Sequence, residues 1–544
     1  MPQRVIFQKN SFLKAAAPFP MLALVPLMVV AVFLHTYRLD GKLYWHDEVY
    51  TSIRAAGYQR HEIGDEIFRD RLLHPSDLLA YQAIKPGSSS QDTIRSLAIE
   101  DPQHPPLYFL MQRWWMQMFG SSIAASRSLA VLFSLLALPG MYWLSLELFS
   151  SPLAAWLTTL LLALSPFDIL FAQVARQYSL LTLFTILSSW FLLRALRLPE
   201  RPFWHWGLYT STAVGGLYTH PFFGLTLIAH GLYVLARQVL MPPTRFALGS
   251  GARKGRSPFR PFLLSMAAAT LLFSPWLWVI LSNFGRAMAT TDWAAIFPGY
   301  VTLIKFWVLS FTALFFDLDF GFNNPVTFWL RVPYVLLILM SCYEVWRRSP
   351  SKIWLFILVM ILVPFLLLVL PDLLLGNKRS TVSRYLIPCF PGVQLAVGFW
   401  LADSWARIRR SLWYSIAGLL LVGSLTSILV SSQANTWWNK DLSYFNGAIA
   451  EYINALPQPL VISDEGNDWT NLGDLISLSY LLKEQTQFLL LSPEARLSKP
   501  EMLSASKDVI YFRPSSRIKA QAEAYRIPLK GIIDNDIFQP AETP

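Results

Sequence analysis

Two carboxylates stand side by side in Leu43-Tyr44-Trp45-His46-Asp47-Glu48-Val49-Tyr50-Thr51, directly after the first long apolar run of the chain. A carboxylate is costly in hydrocarbon, so a pair at the edge of an apolar segment either stops a helix or does chemistry. When ionised, such a group can accept the proton of a hydroxyl that attacks a neighbouring centre. A second set is cationic. Lys378, Arg379 and Arg384 fall within Gly376-Asn377-Lys378-Arg379-Ser380-Thr381-Val382-Ser383-Arg384-Tyr385, before a late apolar run, and Arg176 lies near the end of another. Arginine offers phosphate oxygens a planar fork, and lysine offers them a mobile point charge. Two further stretches hold polar groups beside prolines that fix chain direction: Glu100-Asp101-Pro102-Gln103-His104-Pro105-Pro106-Leu107-Tyr108 and Leu217-Tyr218-Thr219-His220-Pro221. Asp47, Glu48, Asp101, His104 and His220 together offer the oxygen and imidazole ligands of a divalent metal, although their spacing matches no metal motif.

The elements that must position these groups are membrane spans. Hydrophobic residues make up 54% of the 544 and charged residues only 15%, where a soluble domain carries about 25% charged. The sequence predicts an α-helical polytopic membrane protein with about eleven spans: 18–37, 123–148, 153–167, 175–195, 204–219, 221–239, 262–282, 326–345, 353–370, 385–402 and 412–431. Five basic clusters set the topology: Arg4/Lys9/Lys14, Arg194/Arg197/Arg201, Arg245/Arg253/Lys254/Arg256, Arg347/Arg348/Lys352 and Arg407/Arg409/Arg410. Placing all five in the cytoplasm puts the N-terminus there, with an uncleaved first span. The count holds if the aromatic-rich stretches 105–119 and 296–316 lie in the outer interface rather than cross it. The net charge of +11 is then a topology signal and not a nucleic-acid footprint. Cys342 and Cys389 sit in or beside apolar runs, which argues against a disulfide framework or a cysteine zinc site.

On this topology the outer face carries the loop 38–122, the loops 283–325 and 371–384, and everything after residue 431. The chain divides into a membrane domain, 1–431, and a soluble extracytoplasmic α/β domain, 432–544. In the latter, 460–463, 487–491 and 508–512 are expected as strands, and 472–482 and 517–525 as helices. No glycine-rich phosphate loop is present, so nucleotide binding is not expected. Carboxylates and cations thereby share one membrane face, where an anionic lipid head group is available. That combination can move a group off a lipid phosphate: the cations neutralise the departing phosphate while a carboxylate takes a proton from the nucleophile.

The ordered set of motifs resembles the bacterial GT-C glycosyltransferases, in particular the family-39 and aminoarabinose-transferase group related to protein O-mannosyltransferases. The set comprises Trp45-His46-Asp47-Glu48, His104-Pro105-Pro106-Leu107-Tyr108, Phe119-Gly120-Ser121 with Ser126-Arg127, Ala175-Arg176-Gln177-Tyr178-Ser179, Tyr218-Thr219-His220-Pro221-Phe222-Phe223-Gly224 and Ser383-Arg384-Tyr385-Leu386-Ile387-Pro388. The resemblance implies transfer of a sugar from a polyprenyl-phosphate donor to a glycan, lipid or protein acceptor on the extracytoplasmic side of the cell membrane. It implies Asp47 as general base, with Glu48 at the second acidic position for acceptor or metal. Arg384, Tyr385, Arg379, Lys378 and Arg176 would bind the donor phosphate. Asp101, His104, Tyr108, Tyr178 and His220 would bind substrate, and Glu48, His104 and His220 would hold any metal. Where the aminoarabinose group has a metal-binding glutamate before the proline, this chain has His104. A transporter or flippase for a lipid-linked or anionic substrate is the rival expectation, but no internal repeat supports it. An O-antigen ligase or polymerase would place its functional loop late in the chain.

Overall fold

The computed structural model describes residues 22, 24–198, 202–240, 259–290, 292–440, 442–467, 470–495, 497, 508–534 and 536–540. Arg4, Lys9, Lys14, Arg201, Arg245, Arg253, Lys254 and Arg256 lie outside them. The described chain falls into two compact units. One holds the chain up to Tyr37, 103–105 and 130–430. The other combines 38–102 and 106–129 with 431–544, so the first loop and the C-terminal segment share a unit.

The first unit is helical, and helices occur at each of the eleven expected spans. Among the described residues eight are long and apolar enough to cross a membrane, or nine if a bent pair counts as one. Of the others, Leu24–Thr36 has 13 described residues and Pro202–Thr219 has 18. The bent pair revises the expectation of a single helix at 153–167. Pro152–Ala163 and Pro166–Ala172 meet at 56°, because Pro166 cannot continue the preceding hydrogen-bond ladder and instead opens a new helix. The Ser165 hydroxyl caps that helix by accepting the Asp168 N–H at 3.3 Å. The two aromatic stretches expected in the interface form Leu107–Phe119 and Tyr300–Thr312, 13 residues each. At 1.5 Å per residue each is about 20 Å long, short of a hydrocarbon core of roughly 30 Å. Helix packing uses small residues. Gly398 sits so close to a neighbour that an added Cβ would lie 2.0 Å from the Thr158 hydroxyl.

The second unit holds a six-stranded sheet: β1 (Arg71–Leu73), β2 (Pro459–Ser463), β3 (Gln487–Leu490), β4 (Asp508–Phe512), β5 (Leu529–Ile533) and β6 (Ile537–Pro540). Their spatial order is β1-β3-β2-β4-β6-β5. β2 is parallel to both β3 and β4, the other pairings are antiparallel, and Leu72 of the first loop registers with Leu489. Every residue of β2 is buried, as a central parallel strand requires. One face, with Leu460, Ile462, Val509 and Tyr511, packs on Ile518 and Ala522 of the helix Ser516–Ala524.

Candidate active site

The acidic motif opens a helix. His46–Ala56 begins with Asp47 and Glu48 in its first turn, where the helix dipole favours negative charge. The two carboxylates have different surroundings. Glu48 is fully buried and receives the Arg127 Nε on Oε1 and a terminal nitrogen on Oε2, both at 2.8 Å. Its Oε2 also accepts the Trp45 N–H at 3.1 Å, capping the helix. The rest of the Arg127 fork donates to the carbonyls of Leu39 (2.7 Å), Lys42 (3.1 Å) and Leu43 (2.8 Å). Glu48 and Arg127 thus staple the segment leading into the helix. Asp47 is only partly buried, and its main-chain carbonyl receives the Thr51 hydroxyl.

At the other end of this helix, Gly57 adopts φ 92°, the left-handed cap for which glycine is favoured. Arg113 donates to the carbonyls of Ala55 and Ala56 there, both at 3.1 Å. Two buried lysines stand at the motif, Lys440 from the C-terminal segment and Lys42 from the first loop. Lys440 is fully buried with its ammonium 5.7 Å from the centre of the Trp45 ring, and has no hydrogen-bond partner among the described residues. Burial pushes its pKa down to about 8, with Arg127 lowering it further and Glu48 and Asp47 opposing. Lys42 is likewise pushed down to about 7 by burial, then by Lys440, Arg127 and Arg38. Asp101 forms an ion pair with Arg54, and Tyr108 is fully buried.

The cationic residues gather in the helical unit. Gly376, at φ 74°, ends the helix Ser351–Leu375, and the chain turns into the cation-bearing loop. Asp372, fully buried, fixes that loop by accepting the N–H groups of Arg379 at 3.0 Å and Ser380 at 2.6 Å. Lys378 lies 5.4 Å over the Trp293 ring. Arg384 lies over Tyr385 at 5.7 Å and Arg176 over Tyr178 at 5.8 Å. His220 is the hub of this group. Its ring centre is 6.3 Å from that of His104, 6.2 Å from Tyr178 and 6.5 Å from Tyr385. Burial pushes its imidazole well below the ordinary histidine range, and the charges of His104, Arg176 and Arg384 push the same way. His220 Nδ1 accepts the Phe222 N–H at 3.1 Å. The neutral ring therefore carries its proton on Nε2, a donor suited to an anionic oxygen.

The structure brings His104, Arg176, Tyr178, His220, Arg384 and Tyr385 together in the helical unit, and Asp47, Glu48, Asp101 and Tyr108 in the other. Arg127 was legible in the sequence only as part of Ser126-Arg127. Lys42, Lys440 and Asp474 carried no linear signal. Among the described residues no three His, Cys, Asp or Glu side chains converge to hold a metal ion.

Residues 103–279 match the family described as dolichyl-phosphate-mannose-protein mannosyltransferase. No curated protein matches the sequence. Among solved structures, ArnT from Cupriavidus metallidurans bound to undecaprenyl phosphate is similar at TM-score 0.54 and 13% identity, covering 96% of this chain and 98% of that one. The apo state of the same protein aligns at TM-score 0.54 and 12% identity, covering 95% and 96%. The apo oligosaccharyltransferase of Archaeoglobus fulgidus aligns at TM-score 0.47 and 13% identity, covering 92% of this chain and 68% of that one. The chain is a multi-pass membrane protein that shares the fold of ArnT, and its residues 103–279 match the model of the dolichyl-phosphate-mannose-protein mannosyltransferase family.

Proposed function

We propose that this protein transfers a sugar from a polyprenyl-phosphate donor to an acceptor hydroxyl on the extracytoplasmic side of the cell membrane. The observation that carries this reading is the grouping of Arg176 and Arg384 around the neutral, Nε2-protonated His220, walled by Tyr178 and Tyr385. Two guanidinium forks and an N–H donor suit a phosphate monoanion or dianion at a membrane boundary. The match of undecaprenyl-phosphate-bound ArnT to this fold supports a lipid phosphate as that anion.

In the proposed reaction Asp47 takes the proton of the acceptor hydroxyl and the oxygen attacks the anomeric carbon. The bond from that carbon to the phosphate oxygen breaks, and the polyprenyl phosphate leaves with its charge held by Arg176 and Arg384. One displacement inverts the anomeric centre, and no covalent enzyme intermediate is required. Glu48, held by Arg127, positions the motif. Lys378 and Arg379 add positive charge at the mouth of the phosphate site. In this reading the N-terminus is cytoplasmic and the segment after residue 431 extracytoplasmic. The acceptor is a glycan, lipid or protein hydroxyl.

The test is incubation of membranes carrying the protein with radiolabelled polyprenyl-phosphate sugars. Label appearing on glycan, lipid or protein, and its loss with Asp47→Asn, supports transfer. Label crossing the bilayer on an unchanged lipid would instead identify a flippase.

A further inference from the structure

The helix that presents Asp47 is gripped from the C-terminal segment. His46 is the first residue of that helix, and its main-chain N–H and ring Nδ1 are engaged by residues about 400 positions away in the chain. Its main-chain N–H donates to the Ser443 hydroxyl oxygen at 3.1 Å, and its Nδ1 lies 3.2 Å from Asp474 Oδ1. The Ser443 hydroxyl in turn donates to the same Asp474 oxygen, closing a three-membered ring of contacts. Ser443 holds a left-handed backbone, φ 60°, a conformation that a non-glycine residue keeps only when its surroundings require it.

Asp474 is itself fixed. It is fully buried, and its second oxygen pairs with Arg513. Arg513 is anchored by Asp536 through bonds of 2.7 and 3.0 Å. Burial alone would raise the Asp474 carboxyl, but His46, Arg513 and Ser443 outweigh it and hold the group below the usual carboxylate range. Gly473 and Asp474 lie on the helix Asn471–Ser479, whose close approach to His46–Ala56 depends on Gly473. A Cβ there would stand 2.7 Å from the His46 ring and 2.7 Å from the Tyr50 ring. Asp47 therefore sits between two anchored neighbours, His46 held by Asp474 and Ser443, and Glu48 held by Arg127.

We propose that Asp474 is a positioning residue for Asp47, acting through His46, so that the C-terminal α/β segment is part of the catalytic apparatus rather than an accessory domain. The inference rests on Asp47 being the general base of the reaction proposed above. A fixed base is worth having because a misplacement of about 1 Å can cost on the order of 10²-fold in rate.

The experiment is a double-mutant cycle on the full chain in detergent, with Asp474→Asn, His46→Gln and the double variant. Two readouts are taken: amide hydrogen exchange over residues 46–56, and steady-state transfer from a polyprenyl-phosphate sugar. Asp474→Asn is expected to speed exchange in the first turn of the helix. It should lower kcat by roughly 10-fold to 10²-fold while the donor KM stays within about twofold. In the His46→Gln background the same change should add less than about twofold. Unchanged exchange in Asp474→Asn, or effects that simply multiply, would overturn the inference. Should Asp474→Asn fail to reach the membrane, Asp474→Glu, which keeps the charge and shifts it by one methylene, is read in the same cycle. Full turnover by Asp47→Asn would remove Asp47 from the base role, and the exchange data would still report whether Asp474 sets the helix.

Discussion

Arg127 and Glu48 form a two-pronged ion pair, with two nitrogens of one meeting two oxygens of the other at 2.8 Å and neither side chain reaching solvent. Removing one partner leaves an uncompensated buried charge. Arg127→Met is expected to cost about 3–5 kcal/mol of stability, read as a lowered midpoint of thermal unfolding in detergent. Replacing both, as Glu48→Leu with Arg127→Met, should cost less than either single change. An equal or larger loss would show that the pair does more than neutralise itself.

Asp47 should behave in the opposite way. It is partly exposed at a helix N-terminus, so Asp47→Asn keeps shape and helix and removes the base. Transfer is expected to fall by about 10²–10⁴-fold with the unfolding midpoint little changed. Glu48→Gln, by contrast, should lose stability and activity together. Comparable stability losses for the two variants would mean that the motif is a helix stop.

The buried lysines make stability depend on pH. Lys42 and Lys440 are pushed down to about 7 and about 8, against about 10.4 in an unfolded chain. Between those values the unfolded state binds more protons than the folded one, so stability rises with pH. The penalty is fully present below pH 7. The unfolding midpoint should therefore climb between pH 7 and pH 9.5, and Lys440→Met should flatten the climb. Lys440→Met should also raise stability at pH 7 by on the order of 3 kcal/mol. A midpoint that falls over this range in the wild type would contradict the assignment.

The phosphate site can be tested without turnover. A charged hydrogen bond contributes about 1.5–3 kcal/mol, so Arg384→Ala or Arg176→Ala should weaken binding of polyprenyl phosphate by roughly 10-fold to 10²-fold. Lys378→Ala, over the Trp293 ring in the same loop, should have the smaller effect. Binding by both arginine variants at wild-type strength would remove the cluster from the donor site.

Local physics made much of this protein legible in its sequence. Apolar length and basic clusters locate the helices, because the hydrocarbon core demands long runs whatever the tertiary contacts. Three of the six strands, near 460–463, 487–491 and 508–512, follow from β-branched and apolar runs, and the helices Asn471–Ser479 and Ser516–Ala524 follow from the stretches between them. The ordered motifs singled out Asp47, His104, Arg176, His220 and Arg384.

Tertiary structure alone decided the rest. Arg71–Leu73 is a strand because Gln487–Leu490 offers it an open edge. Leu529–Ile533 contains Lys530 and Gly531, which mute the strand signal until Ile537–Pro540 pairs with it. The bend at Ser165-Pro166 leaves hydropathy unchanged and so escapes a count based on it. The same holds for the surroundings of the acidic pair. Residue type and spacing alone leave the two carboxylates alike apart from the roles the family resemblance implies, whereas folding buries Glu48 on Arg127 and leaves Asp47 partly exposed. It also carries Lys440 and Asp474 from the far end of the chain to the same helix. A contact spanning some 400 residues has no local signature, since periodicity and propensity register only near neighbours. Burial and charge pairing are properties of the closed chain.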